Sequence, residues 1–556
     1  MLKKLIIIIV ISLIPSLAWG QNFDAATREM DRDVRGEMEK KLLPKPKAPA
    51  IKEKVKTPEE KKGPKFFVKE IVLEGCESIP PEHFTPLVEK YENKEVYLSE
   101  LEILAKEIQR EYLRKMIIAS CYIPPQDASK GTAILRVTEA RMGTLTINKT
   151  KWFDEDTYKF YWTLKKGDVI RYDKMRRSLL LMNENPDRDV SANLKAGEEP
   201  GTTDIIIDAK TRFPIHPTFS FDNEGVRSTG KDRITFGGRD NNVLFVDDML
   251  LAGYTYGKDF SGVYFYHSIP ITNCGTRVMW GLNDSRSKPK KEFESFGIKS
   301  HVQNWSFFAY QDLYYKAEYL GEFSIGLDIK DKGTKYNLGT LNRDRLRILR
   351  VGASIMTRFF GGMTYLNPQV SQGIHFLGAR RKSELSSRKA DCIFTKFNLS
   401  LRHKRSLPFN FQTNLTFKTQ VASETLTPQE EYFLGGIDSV RGYPSGDFLA
   451  DNAFQANVEL LTHFFFIPED WKLPFQDKTI KENVTGLAFF DYGYGEKHGR
   501  LGNEQKKVTF ASFGTGLRIR VYDRMLLRLE WGFPVAERPL TETADSRFHL
   551  SLNIEL

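Results

Sequence analysis

Two short stretches of the chain have residue types and spacing that suit a specific ion pair. The first runs Gly435-Gly-Ile-Asp-Ser-Val-Arg-Gly-Tyr443, and it sets Arg441 between turn-forming glycines and an aromatic residue. An arginine presented in this way at a loop apex suits a bidentate carboxylate contact. The second runs Phe489-Phe-Asp-Tyr-Gly493, a strand pattern that turns Asp491 inward if its aromatic neighbours face lipid. Each stretch alone is common; their occurrence together, fifty residues apart, is more specific.

No catalytic or metal-binding pattern accompanies these stretches. The sequence lacks a GxSxG elbow, a Walker loop and an HExxH motif, and its 9 histidines are scattered. We therefore predict no enzyme activity, no cofactor and no metal site. The 82 Lys and Arg outnumber the 72 Asp and Glu by too little to favour a nucleic-acid partner.

The N-terminal region has the features of an exported protein. Residues 1–20 combine two lysines, an apolar run and small residues before a cleavage site, which predicts a signal peptide. Residues 21–43 predict a charged helix with a thin apolar stripe, formed by Met30, Val34, Met38 and Leu42. The Lys- and Pro-rich residues 44–64 predict an extended linker, and a solvated, disordered arm is the alternative for 22–64.

Residues 65–142 and 143–212 predict two α+β units with one order of elements, β-α-α-β-β. In the first unit the predicted elements are strands at 66–74, 117–123 and 132–139, with helices at 81–91 and after Ser99. In the second they are a strand from 145, helices at 154–164 and 172–182, and a hairpin of strands at 189–195 and 203–210. The shared order indicates an internal repeat.

Residues 213–556 alternate apolar and polar side chains instead. Near the end Phe548 and Leu550 share one parity, and His549 and Ser551 share the other. A β-barrel with a wet lumen fits such alternation, although a soluble sandwich has the same period. The signal peptide and the number of strands favour the barrel. Sixteen antiparallel strands of about 10 residues fit the length, as do fourteen or eighteen.

These features together resemble the transporters of two-partner secretion, which export haemolysins and filamentous haemagglutinins and belong to the superfamily of POTRA-bearing outer-membrane barrels. The stretch Tyr122-Ile-Pro-Pro-Gln126 resembles the end of the first POTRA domain of that family. Phe221-Asp-Asn-Glu-Gly225 resembles its first barrel hairpin. The resemblance therefore implies a β-barrel membrane protein of about 16 strands behind two α+β POTRA domains.

The resemblance also implies a site inside the barrel. The stretch around Arg441 matches the tip of the long sixth extracellular loop, which folds into the lumen. The stretch around Asp491 matches the wall motif that receives it. The implied lock between loop and barrel consists of Val440, Arg441, Gly442, Tyr443, Phe489, Asp491 and Gly493. The helix at 21–43 matches the plug helix that lies in the pore of several members.

The implied function is translocation of an unfolded, β-helix-type exoprotein across the bacterial outer membrane, with the POTRA domains in the periplasm. We expect the client to add as a strand beside Ile117–Ile123 and Asp189–Lys195, so Ile117, Ile123, Asp189 and Lys195 are the candidate client-binding residues. Other expected partners are outer-membrane lipid, the barrel-assembly machinery and periplasmic chaperones. A barrel-assembly insertase and a passive porin are the alternatives. Export also permits a disulfide between Cys76 and Cys121, which the spacing does not decide.

Overall fold

A computed structural model describes residues 51–52, 64–127, 130–148, 150–316, 319–472, 478–499, 504–522, 524–542 and 544–556. The described residues fall into two units, which divide between Phe213 and Pro214. None of the helices in this part of the chain is both long enough and apolar enough to cross a bilayer.

The first half of the smaller unit is a three-stranded sheet packed on one long helix. Strand β1 (Ile51–Lys52) comes first in the chain but belongs to the sheet of the second half. The elements of the first half, in chain order, are β2 (Lys65–Val68), β3 (Glu70–Glu74), a 3₁₀ turn (Pro81–Phe84), α1 (Thr85–Val88), β4 (Lys94–Tyr97), α2 (Leu98–Arg114), β5 (Ala119–Tyr122) and β6 (Thr132–Glu139). The sheet order is β3-β6-β5. Helix α2 buries one face against it, because Leu101, Leu104, Ala105, Ile108 and Tyr112 recur at helical spacing.

Two predicted elements of this half differ from the structure, and one strand was not predicted. The predicted strand 66–74 is broken at Lys69 into β2 and β3, where the N–H groups of Lys69 and Glu70 both donate to the carbonyl of Gly131. Strand β2 then pairs with β4, which the sequence did not predict. The predicted helix 81–91 is only a 3₁₀ turn and the short helix α1, with Pro86 in its first turn.

The second half of the unit repeats the order of elements. It contains β7 (Arg141–Ile147), α3 (Glu155–Tyr161), α4 (Tyr172–Met182), β8 (Arg188–Ala196) and β9 (Thr202–Thr211). Its sheet order is β1-β8-β9-β7. Strand β1 lies within the predicted linker, so Ile51 and Lys52 are not free of contacts; their backbone pairs in parallel with Ala192 and Asn193 of β8.

The larger unit is a closed antiparallel barrel of sixteen strands, which confirms the predicted fold class. The barrel strands are β10 (Ile215–Asp222), β11 (Arg233–Asp240), β12 (Met249–Gly257), β13 (Phe260–Pro270), β14 (Thr276–Ser287), β15 (Lys299–Lys316), β16 (Tyr319–Tyr336), β17 (Gly339–Phe359), β18 (Gly362–Gly373), β19 (Phe394–Ser406), β20 (Phe411–Ala422), β23 (Asn452–His463), β24 (Val484–Glu496), β25 (Lys507–Val521), β26 (Met525–Pro534) and β27 (Arg547–Glu555). Each pairs with its neighbour along the chain, and β27 closes on β10.

The barrel wall separates the two parities. Phe548 and Phe490 are half-exposed on the outer surface, whereas His549 and Asp491 are fully buried on the inner one. We call the rim at which β10 begins and β27 ends the near rim, and the opposite one the far rim. The far-rim connections 288–298 and 374–393 carry 3₁₀ turns at Lys291–Phe296 and Ser387–Lys389, and α5 (Ile480–Asn483) lies at the near rim.

Loop 6, residues 423–451, joins β20 to β23 at the far rim and contains the hairpin of β21 (Tyr432–Leu434) and β22 (Phe448–Ala450). This loop is the element that positions the candidate site.

Candidate functional site

Loop 6 folds into the barrel rather than away from it. Every residue from Ser439 to Asp451 is buried, although many of them are polar. The turn that makes this possible starts at Gly435 and Gly436, whose φ angles are 97° and 94°. A Cβ atom on Gly435 would lie 2.2 Å from the carbonyl oxygen of Pro444, so only glycine fits there. The loop tip therefore reaches the inner wall.

Arg441 at the loop tip is bound by three carboxylates. Its Nε and Nη2 donate to the two oxygens of Asp491 at 2.8 and 2.6 Å, a bidentate contact. Its Nη1 donates to Glu459 at 2.7 Å and to Glu530 at 2.9 Å. The backbone N–H of Arg441 also donates to Asp491 at 3.0 Å. Burial by itself would lower the pKa of Arg441, but Asp491, Glu530 and Glu459 raise it overall, so the guanidinium stays charged.

Two further arginines balance this cluster. Arg518 of β25 donates to Glu459 at 2.6 Å and to Glu530 at 2.9 Å. Arg528 of β26 donates to Glu530 at 3.1 Å. The cluster thus holds three guanidinium groups and three carboxylates, and the strands from β23 to β26 all contribute to it. We call these six side chains, Arg441, Asp491, Glu459, Glu530, Arg518 and Arg528, the lock cluster.

The structure brings the seven predicted lock residues together. The Arg441 guanidinium lies 3.5 Å from the centre of the Phe489 ring, a stacked cation–π contact. Tyr443 stacks on Phe510 at 4.0 Å between ring centres, and its hydroxyl donates to the carbonyl of Glu537 at 2.8 Å.

Small residues allow the close approach of loop and wall. A Cβ on Gly442 would lie 2.7 Å from the Pro534 nitrogen. One on Gly493 would lie 2.8 Å from a methyl group of Val440. Glycine at these two positions therefore allows the loop tip to lie directly against the wall.

Four residues of the lock cluster were not predicted from the sequence: Glu459, Glu530, Arg518 and Arg528. A signal was present, because the alternation of β25 and β26 assigns Arg518, Arg528 and Glu530 to the polar parity. That parity shows only that these side chains face the lumen. It does not show which of them meet, since strand register and closure decide that.

A second anchor holds the base of loop 6 to strands β16, β17 and β19 of the wall. Glu430 accepts from Lys330 at 3.0 Å, from Arg350 at 2.9 Å and from Lys396 at 2.6 Å, and all four side chains are almost fully buried. Burial opposes ionisation of Glu430, but Arg350, Lys330 and Lys396 outweigh it and hold its pKa well below the usual range. The next residue, Glu431, pairs with Arg388 instead. Loop 6 is thus fixed both at its tip and at its base.

A cavity of about 230 Å³ lies in the lumen, bordered by Tyr432 of loop 6. Aromatic and polar side chains line it, among them Tyr266, Phe308, Asn398 and Lys418. The lumen is therefore closed in part by a loop and is not filled by wall side chains alone.

The predicted client-binding residues lie in the smaller unit. Strand β5 is the outer strand of its sheet, but Ile117 precedes it, is buried and donates its N–H to the carbonyl of Tyr112. Ile123 follows β5 and packs partly against the core. Asp189 and Lys195 lie on β8, whose outer side carries β1. The exposed part of the first edge is thus limited to Ala119–Tyr122.

Two other predictions concern residues outside the lock cluster. The plug-helix residues Met30, Val34, Met38 and Leu42 lie outside the described residues. Cys76 and Cys121 are both thiols in this structure. Neither observation changes the geometry of the lock cluster.

A closed sixteen-stranded barrel with an inward-folded loop latched to its wall, preceded by two small α+β units, defines a transport barrel with POTRA-like domains. The family of haemolysin secretion/activation proteins ShlB/FhaC/HecB matches residues 201–519, more than half of the chain. The ShlB-type POTRA domain matches residues 66–140. The chain therefore belongs to this family, and the resemblance stated from its motifs is confirmed.

Individual relatives agree with this assignment. The outer membrane transporter CdiB of Dickeya dadantii is 23% identical over 489 residues, which cover 85% of this chain and 84% of the relative. The heme/hemopexin transporter protein HuxB of Haemophilus influenzae is 21% identical over 464 residues, covering 81% and 80%.

Solved structures show the same fold. CdiB from Escherichia coli superposes with a TM-score of 0.74 at 17% identity, covering 96% of this chain and 98% of its own. BamA from Haemophilus ducreyi, lacking POTRA domains 1–3, reaches a TM-score of 0.55 at 12% identity, covering 88% and 100%.

Proposed function

We propose that this protein lies in the bacterial outer membrane and passes a secreted partner protein through its barrel to the cell surface. The observation that carries the proposal is that loop 6, and not a strand of the barrel wall, closes the lumen. Loop 6 crosses the lumen on a few buried ion pairs, whereas the barrel wall is held by a continuous hydrogen-bond ladder. The loop can therefore move without the barrel unfolding, which a chain-conducting pore requires.

The client enters as an unfolded chain, because the lumen cavity beside loop 6, about 230 Å³, is far smaller than a folded domain. Folding of the client outside supplies direction, so no nucleotide is needed. The POTRA domains capture the client by strand addition, in which an extended peptide pairs with a sheet edge through backbone hydrogen bonds. On β5 this edge is open at Ala119–Tyr122; on β8 the client must first replace β1. Barrel-assembly machinery and periplasmic chaperones deliver the transporter itself.

Site-specific photo-crosslinking tests the route. A client fused to a tightly folded C-terminal domain should stall in the barrel of cells that carry a photoreactive residue at Tyr266, which lines the lumen cavity. Phe265 on the same strand has the other parity and serves as the matched control. We expect adducts with the stalled client at Tyr266 and none at Phe265.

The other outcomes separate the alternatives. A barrel-assembly insertase would give adducts along β27, where the barrel closes, and none at Tyr266. A passive porin would give no adducts at either position while still passing small solutes. A soluble fragment of residues 65–212 should also bind unfolded client and ignore folded client; equal binding to both forms would rule out strand addition.

A further inference from the structure

The closing seam of the barrel is unusually short in backbone pairing. Strands β10 and β27 pair only from Thr218 opposite Glu555 to Asp222 opposite Ser551. Residues 547–550 of β27 therefore extend toward the far rim beyond the last ladder pair. Asn223 covers part of this stretch: its side chain accepts from the N–H of Leu550 at 2.9 Å and donates to the carbonyl of Phe548 at 3.0 Å. Side chains thus complete the seam at the far rim.

Glu224, the next residue, reaches the same part of β27. Its Oε1 lies 2.9 Å from Nδ1 of His549, and both side chains are buried. The other ring nitrogen of His549, Nε2, lies 2.6 Å from the backbone carbonyl oxygen of Arg441. One imidazole therefore bridges the first barrel hairpin and the tip of loop 6.

Both neighbours of the His549 ring are acceptors. A backbone carbonyl never donates a proton, and an ionised carboxylate only accepts. Burial opposes ionisation of Glu224, but His549, Arg547 and Arg233 outweigh it and hold the pKa of Glu224 below its ordinary value. Loss of the His549 ring would therefore leave the buried Glu224 carboxylate without the partner that this bridge supplies.

We propose that His549 and Glu224 are positioning residues that couple the loop 6 lock to the barrel seam, so that release of the loop tip loosens the far-rim end of β10 and β27. The His549 ring contacts Glu224 and the Arg441 carbonyl at once. Withdrawal of the loop removes one of these two contacts and frees the ring to turn away from Glu224, which weakens the second.

Charged groups surround the His549 ring. The groups that face it are Glu224 from the first hairpin, Glu530 as its registered partner on β26, and the Arg441 tip, whose charge the lock carboxylates offset. Farther out, Arg233 pairs with Asp222 at 2.8 Å, and Arg547 lies 3.7 Å from Glu542.

The frequency of channel opening tests this coupling in the full-length protein. Single channels of His549→Asn in planar bilayers should open about tenfold more often than those of the wild type, since the bridge to a buried carboxylate is lost. Glu224→Gln keeps an acceptor but removes the charge, so it should open more often than the wild type and less often than His549→Asn. The matched control His301→Asn removes a half-exposed histidine paired with Asp284 and should follow the wild type.

A staple across the seam separates the coupling from an effect on the loop alone. Cysteines at the paired positions Ser220 and Asn553 would link β10 to β27 when oxidised. In the His549→Asn background, oxidation should reduce opening to the wild-type frequency and reduction should restore it. Heat-modifiable gel migration checks that each barrel is folded, and Glu224→Gln carries the test if His549→Asn does not fold.

Three results would overturn the coupling: a wild-type opening frequency in His549→Asn, a wild-type opening frequency in Glu224→Gln, or an opening frequency that does not change when the staple forms. The inference uses the proposed function only in its consequence for secretion. A client that never enters the barrel would contradict that function and leave the conductance results unaffected.

Discussion

Replacing Arg441 with alanine should release the tip of loop 6 while leaving the barrel closed. The substitution removes the bidentate contact to Asp491, the two contacts to Glu459 and Glu530, and the stack on Phe489. Glu459 and Glu530 keep Arg518 as a partner. Among the contacts described above, Asp491 then keeps only uncharged hydrogen-bond donors, such as the backbone N–H of residue 441.

The magnitude depends on burial. Exposed ion pairs contribute about 0–1 kcal/mol, whereas removing one partner of a buried pair costs about 3–5 kcal/mol because the other charge stays uncompensated. Arg441 is 3% exposed at its side chain and Asp491 is 0% exposed, so the second value applies. The lock cluster also changes from neutral to one net negative charge. The ratio of locked to released loop should therefore fall by about 10²–10⁴-fold.

Three measurements check this outcome. Secretion of the partner by cells should be lost, channel opening in planar bilayers should rise, and heat-modifiable gel migration should stay normal because the ladder is intact. Arg528→Ala is the matched control, since it removes the same charge from the lock cluster without touching loop 6. Its arginine is 22% exposed, so its effect should be much smaller. Wild-type secretion and conductance by Arg441→Ala would refute the assignment of the lock.

The exchange of charges between Arg441 and Asp491 is a sharper form of the same test. An isolated pair would regain part of its function in the double variant Arg441→Asp with Asp491→Arg. Arg441 and Asp491 are not an isolated pair, because an aspartate at position 441 would face Glu459 and Glu530. We expect no rescue of secretion; recovery would mean that these two carboxylates do not act on the loop tip.

Four other outcomes are expected. Deleting residues 22–43 should raise single-channel conductance if this segment narrows the pore, and unchanged conductance would place it elsewhere. Proline at positions 51 and 52 would prevent β1 from pairing with β8, so unfolded client should bind more tightly in a peptide-binding assay; equal affinity would mean that β1 does not compete. Glu430→Gln should increase channel opening, because it leaves three buried cations without their shared carboxylate; a wild-type opening frequency would refute the second anchor. Burial, with the charge of Cys76, raises the pKa of Cys121 to about 12, so a maleimide should label it far more slowly at neutral pH than the exposed Cys274, a contrast that mass spectrometry measures and unfolding should abolish.

The two motif stretches were visible because each is local in sequence. Glycines around Arg441 indicate a tight turn, and alternation around Asp491 indicates an inward carboxylate. Both properties belong to consecutive residues. The same holds for helix α4 and strand β6, whose predicted bounds agree with the structure.

Other elements could not be predicted because their partners are distant. Strand β4 exists by pairing with β2, and β1 exists by pairing with β8, so neither carries a strong pattern of its own. A two-residue segment in a Lys- and Pro-rich region has the composition of a linker whether or not an edge strand captures it.

The amino-acid sequence by itself predicted an exported chain, a C-terminal part whose strands have two chemically distinct faces, and a glycine-rich loop that carries an arginine. These are properties of composition and period, which each segment contains. Only the tertiary structure decided that Arg441 meets Asp491 together with Glu459 and Glu530, and that His549 bridges the loop tip to Glu224. Those contacts join residues up to 325 positions apart, and they depend on strand register, closure of the barrel and the depth of loop 6, which no local pattern encodes.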